Sequence, residues 1–110
     1  MENRSKTETF IGFSVRAKKI RFGFNTLATL KRAYVIFVCE TAAENTVKAA
    51  VKYAKKYGCK VFRTNNKTLS DLAHKDGVKI AAITDYSLAK AVMDNATEDL
   101  TEISGIEPNN

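Results

Sequence analysis

Apolar residues along this 110-residue chain change spacing several times, and each change marks the boundary of a predicted element. A three-to-four spacing predicts an amphipathic helix over residues 8–18. The alternation of apolar and basic residues in Ile20–Phe22 then predicts a short strand. The run Tyr34–Cys39 is β-branched and aromatic throughout, which predicts a central strand that is buried on both faces.

Capping and turn residues bound the remaining helices. Asn25 is a typical N-cap for a helix over residues 26–32. Thr41 and Glu44 resemble a capping box that opens a long helix, and Gly58 is a typical helix stop. The later elements are predicted as strands at 60–63 and 78–83, a short helix at 67–74, and a helix that Asp85 caps and that ends near residue 96.

This order alternates helices and strands, which predicts an α/β fold: a three-layer α/β/α sandwich around a small sheet of about four strands. The length fits one domain, and residues 1–96 contain every predicted element. Residues 97–110 carry four acids, no base and no strong apolar period. We therefore expect one domain followed by an acidic, mobile tail.

Residues 1–96 and the tail carry net charges of opposite sign. The net charge is +6, but the first 96 residues contain 18 bases and 8 acids and so carry +10. No acid lies between Thr9 and Cys39. The basic side chains of this stretch are Arg16, Lys18, Lys19, Arg21, Lys31 and Arg32. Such a density of cations favours binding to a polyanion, with RNA or DNA as the first candidate.

The chain has no apolar run near the roughly 20 residues that span a membrane. Its first residues lack the apolar core of a signal peptide. We therefore expect a cytoplasmic protein without membrane partners. Cys39 and Cys59 border predicted strands and are expected to be buried, reduced thiols, although a disulfide is possible if those strands are neighbours.

Several short strings, in their order and spacing, resemble the kink-turn-binding ribosomal protein superfamily over about residues 10–94. They are Arg16–Ile20 before Gly23-x-Asn25, Ala43–Thr46 at the start of the long helix, Tyr57–Val61 before a strand, and Ala82–Asp85 followed by Ala89 and Lys90. The resemblance implies a mixed sheet, no enzymatic activity, and recognition of structured RNA, either ribosomal RNA or a kink-turn RNA. It also implies ribosomal or ribonucleoprotein partners and makes residues 1–96 a ribosomal-protein-like RNA-binding domain.

The resemblance also implies where RNA would bind. Gly23 and Asn25 match the family's Gly-x-Asn-Glu-x-x-Lys string, whose polar groups meet sheared G·A pairs. Thr26 replaces its Glu and Thr29 its Lys, so a carboxylate acceptor and a cation are both missing. Val78 stands where the family has an apolar residue that presses on a base. The expected RNA-binding residues are Lys18, Lys19, Gly23, Phe24, Asn25, Thr26, Thr29, Arg32 and Val78.

Alternative interpretations remain for some of these residues. Asn25 serves as an N-cap whether or not it meets RNA. Glu40 and Asp85 each follow a predicted strand, where paired acids could bind a metal. Because no Gly-rich phosphate loop and no nucleophile beside a base accompany them, we expect no catalytic residue, metal or cofactor. Lone His74 is expected to be a surface histidine without a partner.

The sequence thus predicts a non-enzymatic RNA-binding protein. The alternative is a protein-interaction module that keeps the fold but has lost kink-turn recognition, which Thr26, Thr29, Ser70 and the acidic tail favour. The tail could also cover the basic face, since its charge has the opposite sign.

Overall fold

Five helices and five strands alternate in a computed structural model, which describes residues 5–95 and 99–103. They are α1 (Lys6–Arg16), β1 (Ile20–Phe22), α2 (Phe24–Ala28), β2 (Val35–Val38), α3 (Glu44–Tyr57), β3 (Lys60–Thr64), α4 (Leu69–Ala73), β4 (Ile80–Ile83), α5 (Tyr86–Asp94) and β5 (Leu100–Glu102). The nine elements predicted from apolar spacing are all present in the predicted order. Their existence is therefore confirmed.

The strands form one mixed sheet in the order β1-β4-β2-β3-β5. Strands β2 and β3 are parallel because α3 carries the chain back across the sheet between them, and the other neighbours are antiparallel. Val38 pairs with Ile80, and we call this end of the sheet the upper end. Val35 pairs with Ile83 at the opposite end, which we call the lower end.

Helices cover both faces of the sheet, as the three-layer prediction requires. Side chains of α1, α4 and α5 pack with Val35 and Phe37 on one face. Side chains of α2 and α3 pack with Ile36 and Val38 on the other. All four of these β2 residues are fully buried, because alternate residues of a strand point to opposite faces and helices cover both. The α/β/α sandwich is therefore confirmed.

Strand β5 corrects two predictions, the number of strands and the residue at which the tail begins. This strand pairs antiparallel with β3, and the side chain of Leu100 is only 3% exposed. The domain therefore extends beyond residue 96, at least to residue 103. Residues 97–98 and 104–110 of the predicted tail lie outside the described residues.

The two predicted N-terminal caps of α2 and α3 were wrong. Helix α2 begins at Phe24 with Gly23 as its N-cap, so Asn25 lies inside the first turn, and the helix ends at Ala28 instead of residue 32. Helix α3 has Ala43 as its N-cap and no side-chain cap. Thr41 Oγ1 instead accepts a hydrogen bond of 2.7 Å from Lys79 Nζ.

Two other residues predicted to bound helices, Asp85 and Gly58, are confirmed in that role. The Asp85 carboxylate accepts a 2.9 Å hydrogen bond from the amide of Leu88 and so caps α5. Gly58 ends α3 in the left-handed conformation, with a φ of 68°.

Candidate nucleic-acid interface

The start of α2 and the loop before β4 meet at the upper end of the sheet. Together they line a cavity of about 310 Å³, which we call the upper cavity. Its walls are Phe22, Gly23, Phe24, Thr46, Gly77, Val78, Lys79 and Ile80. The amide of Gly23 donates a 3.2 Å hydrogen bond to the carbonyl of Ile80, which joins the two segments directly.

Gly23 makes this arrangement possible. Its φ of 99° and ψ of 152° fall in a region that only glycine occupies readily. This conformation turns the chain from β1 into α2 within one residue, so that α2 starts beside the end of β1.

Helix α2 has only five residues, too few to be stable through local hydrogen bonds alone. Contacts with α3 hold it in place. Tyr53 Oη donates to the carbonyl of Phe24 at 3.4 Å, and Tyr57 Oη donates to the carbonyl of Leu27 at 2.5 Å. The start of α2 is therefore fixed relative to the sheet before any ligand binds.

Phe24 and Val78 give the upper cavity its apolar character. The side chain of Phe24 is 42% exposed, whereas Val78 is largely buried at 8% exposure. An exposed aromatic ring beside an apolar wall is suited to contact with an unpaired base, because every base has a flat face that can stack.

Two lysines that the expected set did not include supply positive charge here. Lys79 lines the upper cavity, and Lys75 Nζ lies 5.7 Å from the centre of the Phe22 ring. Neither lysine belongs to the basic stretch of residues 16–32, because both lie more than 40 residues further along the chain. The only local signal was their position on either side of the Gly77-Val78 turn.

The expected residues on α2 fall into two groups. Gly23 and Phe24 line the upper cavity, and Asn25 and Thr26 follow them with exposed side chains. The Thr29 hydroxyl instead donates to backbone carbonyls of α2, at 3.4 Å from Asn25 O and 3.3 Å from Thr26 O. Thr29 thus closes the end of the helix.

The basic residues of the expected set lie at the lower end of the sheet. Lys18 and Lys19 precede Ile20, which pairs with Ile83 at the lower end. Arg32 lines a separate cavity at that lower end. The structure therefore does not bring Lys18, Lys19 and Arg32 together with the upper cavity.

His74 lies at the surface, as predicted, but Glu8 gives it a partner in an ion-pair network. Glu8 Oε1 accepts a 2.7 Å hydrogen bond from Lys67 Nζ, and Glu8 Oε2 lies 2.6 Å from His74 Nε2. Burial raises the pKa of Glu8, but the hydrogen bonds from Lys67 and His74 lower it by more, so its pKa lies below the usual value. The network joins α1 to both ends of α4, with His74 as a partner 66 residues away.

Both cysteines are free thiols, as predicted, with Cys39 buried and Cys59 half-buried. Burial raises the pKa of Cys59 to about 11. Burial also raises the pKa of Cys39, but hydrogen bonds to its sulfur from Thr41 and the Leu69 amide lower it by more.

The two acids considered as a metal pair lie apart. Glu40 follows β2 at the upper end, whereas Asp85 follows the antiparallel β4 at the lower end. Across residues 5–95 and 99–103, no group of three or more His, Cys, Asp or Glu side chains is placed to hold a metal ion. No helix among the described residues is long and apolar enough to cross a membrane.

Comparison with known proteins identifies the fold alone. No protein-family model matches the chain, and no curated protein matches it. A solved structure of a protein with unknown function from Bacillus halodurans is similar, with a TM-score of 0.73 and 15% sequence identity. The match covers 83% of this chain and 96% of that one, so nearly all of that protein shares this arrangement of helices and sheet.

Proposed function

We propose that this chain is a non-enzymatic, cytoplasmic RNA-binding protein that recognises a kink-turn or a related structured RNA, with ribosomal or ribonucleoprotein partners. The observation that carries the proposal is the meeting of Gly23, Phe24 and Val78 around one cavity. Val78 lies 55 positions after Gly23 in sequence, and the kink-turn-binding superfamily uses the corresponding two segments for RNA.

The chemistry of the upper cavity supports contact with an unpaired base and nearby phosphates. The exposed ring of Phe24 offers a stacking surface. Asn25 offers both a donor and an acceptor to a base edge. Lys79 adds positive charge to the wall of the cavity, and Lys75 adds it beside Phe22.

Thr26 and Thr29 change how such an RNA would be recognised. Thr26 has no carboxylate to accept hydrogen bonds from a guanine, and the Thr29 hydroxyl is bonded within α2. A bidentate contact with a base typically contributes about 1–3 kcal/mol of discrimination. Stacking and charge therefore account for more of the binding than base-edge hydrogen bonds do.

Mobility shifts with a kink-turn RNA and a plain duplex of equal length test this function. We expect tighter binding to the kink-turn at every salt concentration, with both affinities falling as salt rises. Equal affinity for the two RNAs across the salt range would overturn recognition of RNA structure.

Two phenylalanines provide a matched pair of variants. Phe13 and Phe24 are each 42% exposed, but Phe13 lies on α1, away from the upper cavity. Phe24→Ala is expected to weaken kink-turn binding by about fivefold or more, the effect of losing one stacked base. Phe13→Ala is expected to leave it unchanged, and equal effects of both would contradict the site.

The second candidate is a protein-interaction module that keeps the fold without kink-turn recognition. The internally bonded Thr29 hydroxyl and the missing carboxylate at Thr26 favour it. A pull-down from lysate, with and without nuclease, separates the two functions. Partners that vanish with nuclease support RNA binding, and partners that persist support the protein-interaction module.

A further inference from the structure

A second and larger cavity lies at the lower end of the sheet, away from the upper cavity. Its volume is about 750 Å³, and we call it the lower cavity. It is lined by the residues that precede β2 and β3 and by one side of α5. Cavities of about 300–1,000 Å³ are the usual size of small-molecule sites.

The inner wall of the lower cavity is apolar and uncharged. Phe62, Met93 and Leu100 line it, and Phe62 and Leu100 are almost fully buried. Cys59 also lines it, and its pKa of about 11 keeps the thiol protonated at neutral pH. This wall favours an apolar, uncharged part of a ligand.

Aromatic rings stand at the opening. Tyr34 and Tyr86 both line the lower cavity and pack edge to face, with ring centres 5.8 Å apart. The side chain of Tyr86 is nonetheless 58% exposed, the highest value among the large hydrophobic residues of the described chain. Its free ring face is available to a second planar group.

The charged side chains that line the lower cavity include one more cation than anions. Lys90 Nζ lies 3.0 Å from Asp94, and Lys60 Nζ lies 3.8 Å from Glu102, so each lysine has an acidic partner. Arg32 makes no hydrogen bond or ion pair within the described chain, and its guanidinium is exposed. A planar guanidinium binds phosphate through two parallel hydrogen bonds.

We propose that the lower cavity binds a nucleotide, with the base against Tyr86 and the phosphate on Arg32. The apolar inner wall, the free tyrosine face and the unpaired guanidinium match the base and phosphate of such a ligand. The nucleotide could be free or part of an RNA chain. The site is independent of RNA binding at the upper cavity, because none of its residues lines both cavities.

Calorimetric titration of the full chain with AMP, adenosine and inorganic phosphate tests the site. AMP is expected to bind saturably, and adenosine and phosphate more weakly by about tenfold or more, because each lacks one half of the recognised chemistry. Absence of saturable AMP binding, or equal binding of adenosine, would overturn the proposal.

Single substitutions test whether AMP binds in the lower cavity. Arg32→Ala and Tyr86→Ala are each expected to weaken AMP binding by about fivefold or more. Lys52→Ala removes an exposed cation from the outer face of α3 and is expected to leave AMP binding unchanged. Thermal melts of all three variants confirm folding, and AMP affinity that is unaffected by Tyr86→Ala would contradict the site.

A short single-stranded oligoadenylate distinguishes the two sources of the nucleotide. Tighter binding of the oligonucleotide than of AMP, with loss in Arg32→Ala, identifies RNA as the source. Equal or weaker binding identifies the free nucleotide. Phe24→Ala is expected to weaken kink-turn binding without changing AMP binding. The proposals for the two cavities can therefore be contradicted independently.

Discussion

Thr26 lies exposed in the first turn of α2, one residue after Asn25 and beside the upper cavity. Adding a carboxylate here supplies the hydrogen-bond acceptor that the proposed kink-turn site lacks. We expect Thr26→Glu to improve discrimination between a kink-turn and a duplex by about 1–3 kcal/mol. Competition between the two RNAs for the protein measures this discrimination, with Thr26→Gln as the uncharged control. Unchanged or reduced discrimination in Thr26→Glu would contradict this placement of the RNA.

Glu8 is a nearly buried acid whose protonation affects stability. Its folded-state pKa lies below the ordinary value of 4.5, so its contribution is present above that pH and is lost as the pH falls through the lowered pKa. We expect Glu8→Gln to lose about 1–3 kcal/mol of unfolding free energy at neutral pH. In strong acid, below both pKa values, the loss is expected to shrink because the wild-type carboxyl is then also neutral.

Asp94 provides the control for Glu8. It pairs with Lys90 at 3.0 Å, but both side chains are more than half exposed, so the pair is solvent-screened. Urea unfolding of Asp94→Asn is expected to show a change below about 0.5 kcal/mol. Equal losses in Glu8→Gln and Asp94→Asn would show that the buried network adds no more stability than an exposed ion pair.

At the scale of the element, Gly23 determines where α2 begins. A Cβ at this position would meet no atom within 4 Å, so Gly23→Ala adds backbone strain without a clash. We expect it to cost about 1–3 kcal/mol. Gly12→Ala, in the middle of α1 and only in ordinary contact with Arg16, is expected to stabilise by about 0.5–1 kcal/mol instead. Thermal unfolding measures both, and the same sign of change in both would contradict this explanation.

The edge strand β5 provides a second test at the scale of the element. Leu100 is 3% exposed where β5 pairs with β3. Leu100→Ala is expected to lose about 2–5 kcal/mol in denaturant unfolding, as for other buried leucines. A loss near zero would mean that the segment is a tail, as the sequence suggested.

Elements with a strong local signal were predictable, and those that depend on distant partners were not. Apolar spacing identified α3, and the run before Cys39 identified β2, because each pattern is complete within one element. Strand β5 has three residues in an acidic stretch and is formed by pairing with β3. The cap at Gly23 and the ion pair of His74 with Glu8 depend on backbone conformation and on contacts between distant segments.

At the scale of the whole molecule, β1 explains why the expected RNA-binding residues do not share one surface. Lys18 and Lys19 precede this strand and Gly23 follows it, so the strand carries them to opposite ends of the sheet, about 10 Å apart. The turn at Gly23 and the basic residues that flank it in sequence therefore lie on different surfaces. The position of Val78 beside Phe24 depends on the pairing of β1 with β4, which the sequence pattern did not reveal.

The most direct test of the central claim is a map of backbone amide chemical shifts as a kink-turn RNA is added to the full chain. RNA binding at the upper cavity predicts the largest changes at Gly23–Thr26, Thr46 and Lys75–Lys79. Smaller changes at the lower end are compatible with the nucleotide site. Changes confined to Lys18, Lys19 and Arg32, with none around the upper cavity, would contradict it.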